Sequence, residues 1–189
     1  MFSVRFHGRG GQGVVTAAEL LSLAAFAEHL EAQAFPSFGS ERMGAPVVAF
    51  CRVDQHPIRL REPVAEPDAV VVQDATLLHH VDVFSGLVDD GYVLINSTRG
   101  IAELGLDELR ERLRPERIVT VPAGELARAH IGRPIPNAAL LGALAALTGL
   151  VGIDALRAAI EQRFSGPAAA GNAAAALDAY EGRWEPVNA

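Results

Sequence analysis

Short apolar runs alternate with longer segments of helical periodicity over roughly the first two thirds of the chain. The runs predict strands at residues 2–7, 31–35, 47–53, 58–61, 69–74, 92–97 and 117–121. Helices are predicted between them at residues 14–28, 77–87 and 106–113. This alternation predicts an α/β fold, a Rossmann-like, doubly wound and mostly parallel sheet.

Two features modify that plan. The predicted strands at 47–53 and 58–61 flank the turn-forming residues 54–57, which indicates a β-hairpin added to the sheet. After Pro122 the pattern becomes helical, with helices expected at 125–130, 138–150, 153–164 and 168–181, and Asn137 is the expected N-cap of the second. The last helix is poor in large apolar side chains, so we expect it to be loosely attached or ordered by a partner. Neither a repeat nor a linker divides residues 1–189, which predicts a single domain.

The amino-acid composition argues against several classes of partner and several kinds of catalytic or metal site. Half of the residues are apolar, and the net charge of −7 disfavours nucleic acid as a partner. All 16 basic residues are Arg, which rules out a Schiff-base lysine. The single cysteine, Cys51, lies in an apolar run, where we expect a buried thiol, and one cysteine cannot hold an iron–sulfur cluster. Neither a signal peptide nor an apolar run of membrane-spanning length is evident, so we expect a cytoplasmic protein without membrane insertion.

A glycine-rich segment joins the first strand to the first helix. Gly8, Gly10 and Gly13 fit the G-x-G-x-x-G spacing, in which the glycines allow a tight turn, a close approach of a phosphate and close helix packing. The helix N-terminus then offers unpaired N–H groups and a partial positive charge to an anion. Glycine-rich turns also occur for packing reasons alone, so the spacing leaves both functions open.

Ordinary dinucleotide binding is disfavoured by the second strand. An NAD site needs an acidic residue at the end of that strand, but Pro36 and Ser37 follow it here. The loop over residues 35–46 mixes glycines, prolines and aromatic residues with Ser40 and Arg42. It is either a solvated surface linker or a loop facing the glycine turn, in which case Ser40 and Arg42 meet a phosphate.

Polar residues also follow the predicted central strands. Asp74 and Asn96 stand at carboxyl ends, where open α/β sheets keep their ligand crevices, although such residues often only cap a following helix. His7 precedes the glycine turn and is either structural or in contact with a ligand. No nucleophile–base pair, carboxylate pair or metal-ligand spacing accompanies them. The residues therefore indicate a binding domain with a phosphate-friendly crevice and no self-sufficient active site.

Several longer motifs resemble the gamma subunit of 2-oxoacid:ferredoxin oxidoreductases of the pyruvate and ketoisovalerate type. They are GRGGQGVVTAAE at residues 8–19, AFPSFGSERMGAPV at 34–47, QD at 73–74, INS at 95–97 and PNAALLG at 136–142. The motifs occur in the family's order along nearly the whole chain. Met43 departs from the family, which often has a second arginine there.

The resemblance implies a subunit of a complex that oxidatively decarboxylates a 2-oxoacid to an acyl-CoA. Alpha, beta and delta-type partners would carry thiamine diphosphate and [4Fe-4S] clusters and pass electrons to ferredoxin or another acceptor. This chain would bind none of those groups alone, and would help to bind coenzyme A and to cover the active site. The binding residues it suggests are Gly8, Arg9, Gly10, Gly11, Gln12, Gly13, Ser40, Arg42, Asn96 and Asn137.

Two other functions stay open at this point. The first is a stand-alone Rossmann-like protein that binds a nucleotide or flavin at the same turn, although the missing ribose acid disfavours it. The second is a purely structural subunit whose glycine turn holds no ligand. Pyruvate, a branched-chain 2-oxoacid and an aryl-glyoxylate are all compatible substrates of the complex.

Overall fold

The computed structural model describes residues 1–37 and 43–182, which form a sheet flanked by helices. The strands are β1 (Phe2–Arg9), β2 (Glu31–Pro36), β3 (Pro46–Asp54), β4 (Ala69–Val72), β5 (Tyr92–Asn96) and β6 (Ile118–Val121). Their order across the six-stranded sheet is β2-β3-β1-β4-β5-β6. Strands β1, β4, β5 and β6 run parallel, and β3 is antiparallel to both of its neighbours. The predicted α/β class with a mostly parallel sheet is confirmed.

Six α-helices form within the described residues, and all of them lie where a helix was predicted. They are α1 (Val14–Ala27), α2 (Asp107–Arg112), α3 (Ala123–Ile131), α4 (Asn137–Thr148), α5 (Ile153–Arg163) and α6 (Gly166–Tyr180). Three short 3-10 helices cover Ala75–His79, Ala102–Leu104 and Pro115–Arg117. None of these helices is long and apolar enough to cross a membrane.

The two faces of the sheet carry different layers. Helices α1, α4, α5 and α6 pack on one face in a core that includes Phe6 and Val71. The opposite face, which includes Val70 and Val72, is covered by the 3-10 helices Ala75–His79 and Ala102–Leu104 and by the short α2. Successive side chains of β4 thus enter both cores, which explains why this strand is continuously apolar.

The predicted hairpin partner of β3 is wrong. Residues 58–61 are not a strand, and β3 instead pairs with β1 on one edge and with β2 on the other. The segment after β3 is held by side chains: Arg52 Nη2 donates to the Glu62 carbonyl at 2.7 Å, and Arg5 Nη1 donates to the Val64 carbonyl at 3.4 Å. Since both edges of β3 are already occupied, guanidinium donors replace the strand partner that this segment lacks.

The helix predicted at residues 77–87 is also wrong. Only the 3-10 helix Ala75–His79 forms, and the chain then turns repeatedly through residues 80–91. Arg5 Nη2 donates to the carbonyls of Val83 and Ser85, so these oxygens bond to a buried guanidinium in place of helical N–H groups. Gly86 adopts a φ of 72°, which an α-helix does not tolerate.

The last helix packs tightly, contrary to the loose attachment that we expected from its composition. Ala173, Ala176 and Ala179 of α6 are buried, and the backbone of Ala176 lies directly against Gly142 of α4. Small side chains permit this close approach of two helices, so the shortage of large residues reflects the interhelical distance. At the start of α4 the N-cap is Pro136, and Asn137 is the first helical residue.

Candidate functional site

The glycine turn connects the end of β1 to the start of α1. Gly11 and Gly13 have φ values of 94° and 73°, which L-residues with side chains rarely adopt. The first hydrogen bond of α1 runs from the Ala17 N–H to the Gly13 carbonyl at 2.9 Å. Within the described chain no side chain caps this N-terminus, and the first turn of α1 contains no acidic residue. The free N–H groups and the positive end of the helix dipole are therefore available to an anion.

Gly8 is required by packing, and Gly13 by packing as well as by conformation. A Cβ atom on Gly8 would lie 2.6 Å from Val14 Cγ2 and 3.2 Å from Gln73 Cβ. A Cβ atom on Gly13 would lie 2.5 Å from Asn137 Nδ2. The helix–strand packing that the spacing assigns to the third glycine is found at Gly8, whereas Gly13 allows close contact with α4.

A cavity of about 320 Å³ opens at this turn. The glycine turn and the first helical turn supply most of the described residues in its wall, and Arg9 is the charged residue among them. The lining residues are Arg9, Gly10, Gly11, Gly13, Val14, Val15, Thr16 and Val47. A phosphate group fits this volume, and it would meet N–H donors and a guanidinium there.

A hydrogen-bonded network surrounds Arg9 beside the cavity. Arg9 Nε lies 3.3 Å from Asp74 Oδ2, and Arg9 Nη2 donates to Thr76 Oγ1 at 2.9 Å. Thr76 Oγ1 in turn donates to Asp74 Oδ1 at 2.6 Å. The Gln12 amide closes the network, since its Nε2 donates to Asp74 Oδ2 at 2.8 Å and its Oε1 accepts from the Arg9 N–H at 2.7 Å. The Gln12 side chain therefore stabilises the glycine turn by linking its backbone to Asp74.

Asp74 is the anionic centre of this network. Although partial burial alone would raise its pKa, hydrogen bonds from Thr76 and Gln12 and the charge of Arg9 hold the pKa of Asp74 below its usual value. The carboxylate is therefore ionised at neutral pH. It fixes both the Gln12 amide and the Arg9 guanidinium at the carboxyl end of β4.

The end of the loop at residues 35–46 lies against the turn. The Gly10 N–H donates to the Ala45 carbonyl at 2.9 Å, and the Gly44 N–H donates to the Gly10 carbonyl at 3.1 Å. Arg9 Nη1 adds a bond to the Gly44 carbonyl at 3.1 Å. Ser40 and Arg42, predicted to contact a phosphate, lie outside the described residues.

The two predicted asparagines occupy different positions. Asn137 lies at the turn, where its Nδ2 is 3.5 Å from the Gly13 carbonyl. Asn96 instead joins two elements of the sheet edge, because its Nδ2 donates to the Gln73 carbonyl at 2.9 Å and its Oδ1 accepts from the Gly124 N–H at 3.0 Å. In this arrangement Asn96 fastens the end of β4 to the start of α3.

His7 is buried on the same side of β1 as Arg5 and is not among the cavity-lining residues. Burial, with a smaller contribution from the charge of Arg5, lowers the pKa of His7 to about 4. The imidazole is therefore neutral at physiological pH. A positive charge at the end of β1 thus comes from Arg9 and not from His7.

Thr76 is the site residue that sequence reasoning did not single out. Besides its hydroxyl bonds, its N–H donates to Asp74 Oδ1 at 3.0 Å, so Asp74 caps the 3-10 helix. The signal in the sequence is the tripeptide Asp74-Ala75-Thr76, since Asp or Asn two residues before such an N–H forms a local cap. Among the described residues no group of three or more His, Cys, Asp or Glu side chains could hold a metal ion. The lone Cys51 is buried as expected, and burial raises the pKa of its thiol.

A family model described as pyruvate ferredoxin/flavodoxin oxidoreductase matches residues 3–182. The chain belongs to this family. It is 50% identical over 181 residues to the pyruvate/ketoisovalerate oxidoreductases common subunit gamma of Pyrococcus furiosus, covering 96% of each chain. The crystal structure of the pyruvate oxidoreductase subunit PORC from Thermotoga maritima has 36% identity and a TM-score of 0.80, with 95% of both chains covered.

The fold also recurs inside a larger protein. A 2-oxoglutarate:ferredoxin oxidoreductase from Magnetococcus marinus, solved with 2-oxoglutarate, coenzyme A and succinyl-CoA bound, matches with a TM-score of 0.72. The match covers 96% of this chain and 30% of that one, and its 18% identity shows the fold alone. The family relationship confirms that this chain is a gamma subunit of a multi-subunit pyruvate/2-oxoacid:ferredoxin oxidoreductase complex.

Proposed function

We propose that the glycine turn of this subunit binds a phosphate group of coenzyme A and so contributes part of the acyl-acceptor site of the complex. Alpha, beta and delta-type partner subunits hold thiamine diphosphate and the [4Fe-4S] clusters and deliver electrons to ferredoxin or another acceptor. The chain acts as one gamma-type domain over residues 1–189 and covers part of the active site.

The observation that carries this proposal is the uncapped N-terminus of α1 facing the cavity at Arg9 and Gly10. The chain as a whole has a net charge of −7, so an anionic ligand needs a locally positive site. The N–H groups of the first helical turn and the guanidinium supply one. Coenzyme A carries its phosphates at one end of a long thiol arm, so a subunit without redox groups can hold that end while partners do the chemistry.

Ser40 and Arg42 belong to the same proposal. The loop end at Met43–Ala45 is hydrogen-bonded to the turn, and Arg42 immediately precedes this loop end in the sequence. A second arginine would add a charge-assisted bond to a phosphate. Replacing Arg42 with Ala is expected to raise the KM for coenzyme A.

The most direct test of phosphate binding places a negative charge in the first turn of α1. Thr16 lines the cavity at the third helical position, where Glu is favourable for the helix itself. In the assembled complex, Thr16→Glu is expected to raise the KM for coenzyme A about tenfold or more, because a like charge faces the phosphate. Thr16→Gln has nearly the same shape without the charge and is the matched control, expected to change KM about twofold at most.

The two variants separate the possible outcomes. A KM that rises only with Glu, at an unchanged rate under saturating coenzyme A, supports phosphate binding at this helix end. Equal effects of Glu and Gln, or no effect of either, would show that the phosphate lies elsewhere and that the turn is purely structural.

A further inference from the structure

We propose that Asp74 and Thr76 are positioning residues that fix the Arg9 guanidinium at the mouth of the cavity, so that its remaining N–H groups bind a phosphate of coenzyme A. This inference rests on the proposed function and specifies how its charged residue works. It assigns a role to the Asp74-Ala75-Thr76 segment beyond capping the 3-10 helix.

The hydrogen atoms in this network have a single consistent arrangement. The Thr76 hydroxyl has one proton and gives it to Asp74 Oδ1 at 2.6 Å, so its lone pairs face Arg9. Those lone pairs accept from Arg9 Nη2 at 2.9 Å and from Arg9 Nε at 3.3 Å. The carboxylate thereby orients the hydroxyl, and the hydroxyl orients the guanidinium.

Two N–H groups of the Arg9 guanidinium are available to a ligand. Each terminal nitrogen of Arg9 carries two N–H groups, and in the described part of the chain Nη1 has one acceptor, Gly44, and Nη2 has one, Thr76. One N–H on each nitrogen therefore has no acceptor within residues 1–37 and 43–182. Two N–H groups on one planar fork are what binds a phosphate in bidentate fashion.

Asp74 does not present a free carboxylate to the incoming phosphate. Its Oδ1 accepts from the Thr76 N–H and hydroxyl, and its Oδ2 accepts from Gln12 and lies beside Arg9 Nε. These contacts occupy the roughly four lone-pair sites of a carboxylate. The aspartate therefore holds the guanidinium without offering a free oxygen to the ligand, and Arg9 is one of the residues that line the cavity.

Preorganisation is the energetic reason for this arrangement. An arginine side chain has many rotamers, and ordering it on binding reduces the affinity. Here the guanidinium is already held by three neighbours before the ligand arrives. Removing the Thr76 hydroxyl should release it and weaken phosphate binding selectively.

The experiment uses the assembled complex with Thr76→Val, which keeps the branched shape and removes the hydroxyl, and Thr76→Ser, which restores the hydroxyl. The probes are coenzyme A and pantetheine, which has the same thiol arm without phosphates. We expect Thr76→Val to weaken coenzyme A binding about tenfold, with less than about twofold change for pantetheine and an unchanged rate at saturating coenzyme A. Thr76→Ser should behave like the original protein.

Thr148→Val is the control, because it also loses a hydroxyl that bonds to backbone but lies at the far end of α4. If Thr76→Val fails to assemble, Arg9→Lys tests the same idea, since it keeps the charge and loses the fork. It should likewise weaken coenzyme A binding and spare pantetheine. Equal weakening of both probes by the Thr76 or Arg9 variant would overturn the positioning role.

The result also distinguishes this inference from the proposed function. Unchanged coenzyme A binding in Thr76→Val, together with a raised KM in Thr16→Glu, would reject the positioning role and leave the phosphate site in place. If Thr16→Glu is also without effect, the phosphate site itself is rejected.

Discussion

The side-chain amide of Asn137 fills the space that a side chain at Gly13 would need. Asn137 Nδ2 lies 2.5 Å from the position of a Cβ atom on Gly13, and it is 3.5 Å from the Gly13 carbonyl oxygen. Gly13 also has a φ of 73°. The contact joins the start of α1 to the start of α4, which are 124 residues apart in the chain.

Substitution of Gly13 by Ala should therefore destabilise the fold for two reasons. The left-handed φ costs about 1–2 kcal/mol for a residue with a Cβ atom, and the collision adds about 1–3 kcal/mol. Denaturant unfolding would measure the sum. Gly149→Ala is the control, because Gly149 has a φ of 63° and a Cβ atom added there would contact no described residue other than its chain neighbours within 4 Å, so only the first contribution applies. Equal losses in both variants would show that Asn137 moves aside freely.

The contact of α4 with α6 predicts a large effect at Gly142. A Cβ atom there would collide with the backbone carbonyl of Ala176, which cannot move away as a flexible side chain can. We expect Gly142→Ala to lower the free energy of unfolding by about 2–4 kcal/mol, by forcing the two helices apart.

A second helical glycine provides the comparison. A Cβ atom on Gly124 of α3 would have its nearest neighbour, Asn96 Nδ2, at 3.6 Å, an ordinary contact. Gly124→Ala should therefore be neutral or stabilising by up to about 1 kcal/mol, since Ala is the better helix former. A comparable loss in both variants would argue against close packing of α6.

Acid sensitivity should come in part from His7. Its folded pKa is lowered to about 4, by burial first and then by Arg5, whereas an exposed histidine titrates near 6.5. The unfolded chain therefore binds a proton at this position that the folded chain does not. The stability linked to the neutral ring is complete above about pH 6.5 and is lost as the pH falls toward 4, a change of the order of 3 kcal/mol.

His7→Gln should flatten this part of the stability profile, because the amide does not titrate. The measurement is denaturant unfolding at several pH values between about 4.5 and 7.5. His80→Gln is the matched substitution at an exposed histidine and controls for the change of side chain itself. A profile for His7→Gln as steep as that of the unsubstituted chain would assign the acid sensitivity to other groups.

Arg5 should be essential for the stability of the non-helical segments at residues 62–87, which cover one face of the sheet. Its guanidinium is buried and donates to the carbonyls of Val64, Val83 and Ser85. Arg5→Met keeps much of the volume but leaves these oxygens without donors, which is expected to cost about 3 kcal/mol. Hydrogen exchange should increase most over residues 62–87. Arg112→Met, at an exposed arginine of α2, should leave exchange in that region unchanged.

The regular elements were predictable because local periodicity encodes them. The strands β4, β5 and β6, the helix α2 between β5 and β6, and the helical region after Pro122 appear as expected. The errors lie at residues 58–61 and 77–87, where a strand and a helix were predicted. The buried side chains of Arg5 and Arg52 instead bond to carbonyls at Glu62 and Val64, just after the first segment, and at Val83 in the second, and no local pattern reveals these long-range contacts.

The candidate site, like the fold, was predictable from the sequence only in part. The spacing of the glycines identified the turn, and the position of Asp74 after an apolar strand brought it to the same edge of the sheet. The role of Thr76 and the bracing amide of Gln12 were not visible, because they depend on the 2.6–2.9 Å hydrogen bonds that only the folded chain forms.

The amino-acid sequence by itself determined the fold class, the family and the existence of a glycine turn at the start of a helix, since each follows from periodicity, spacing or long motifs. It also excluded iron–sulfur ligation by this chain alone, because the chain has one cysteine. The tertiary structure decided that β2 and β3 form the antiparallel edge, that α6 packs closely through its alanines, and that Arg9 is held by Asp74 and Thr76. These features join residues far apart in the chain, so they depend on which surfaces meet after folding and leave no periodic signal along the chain.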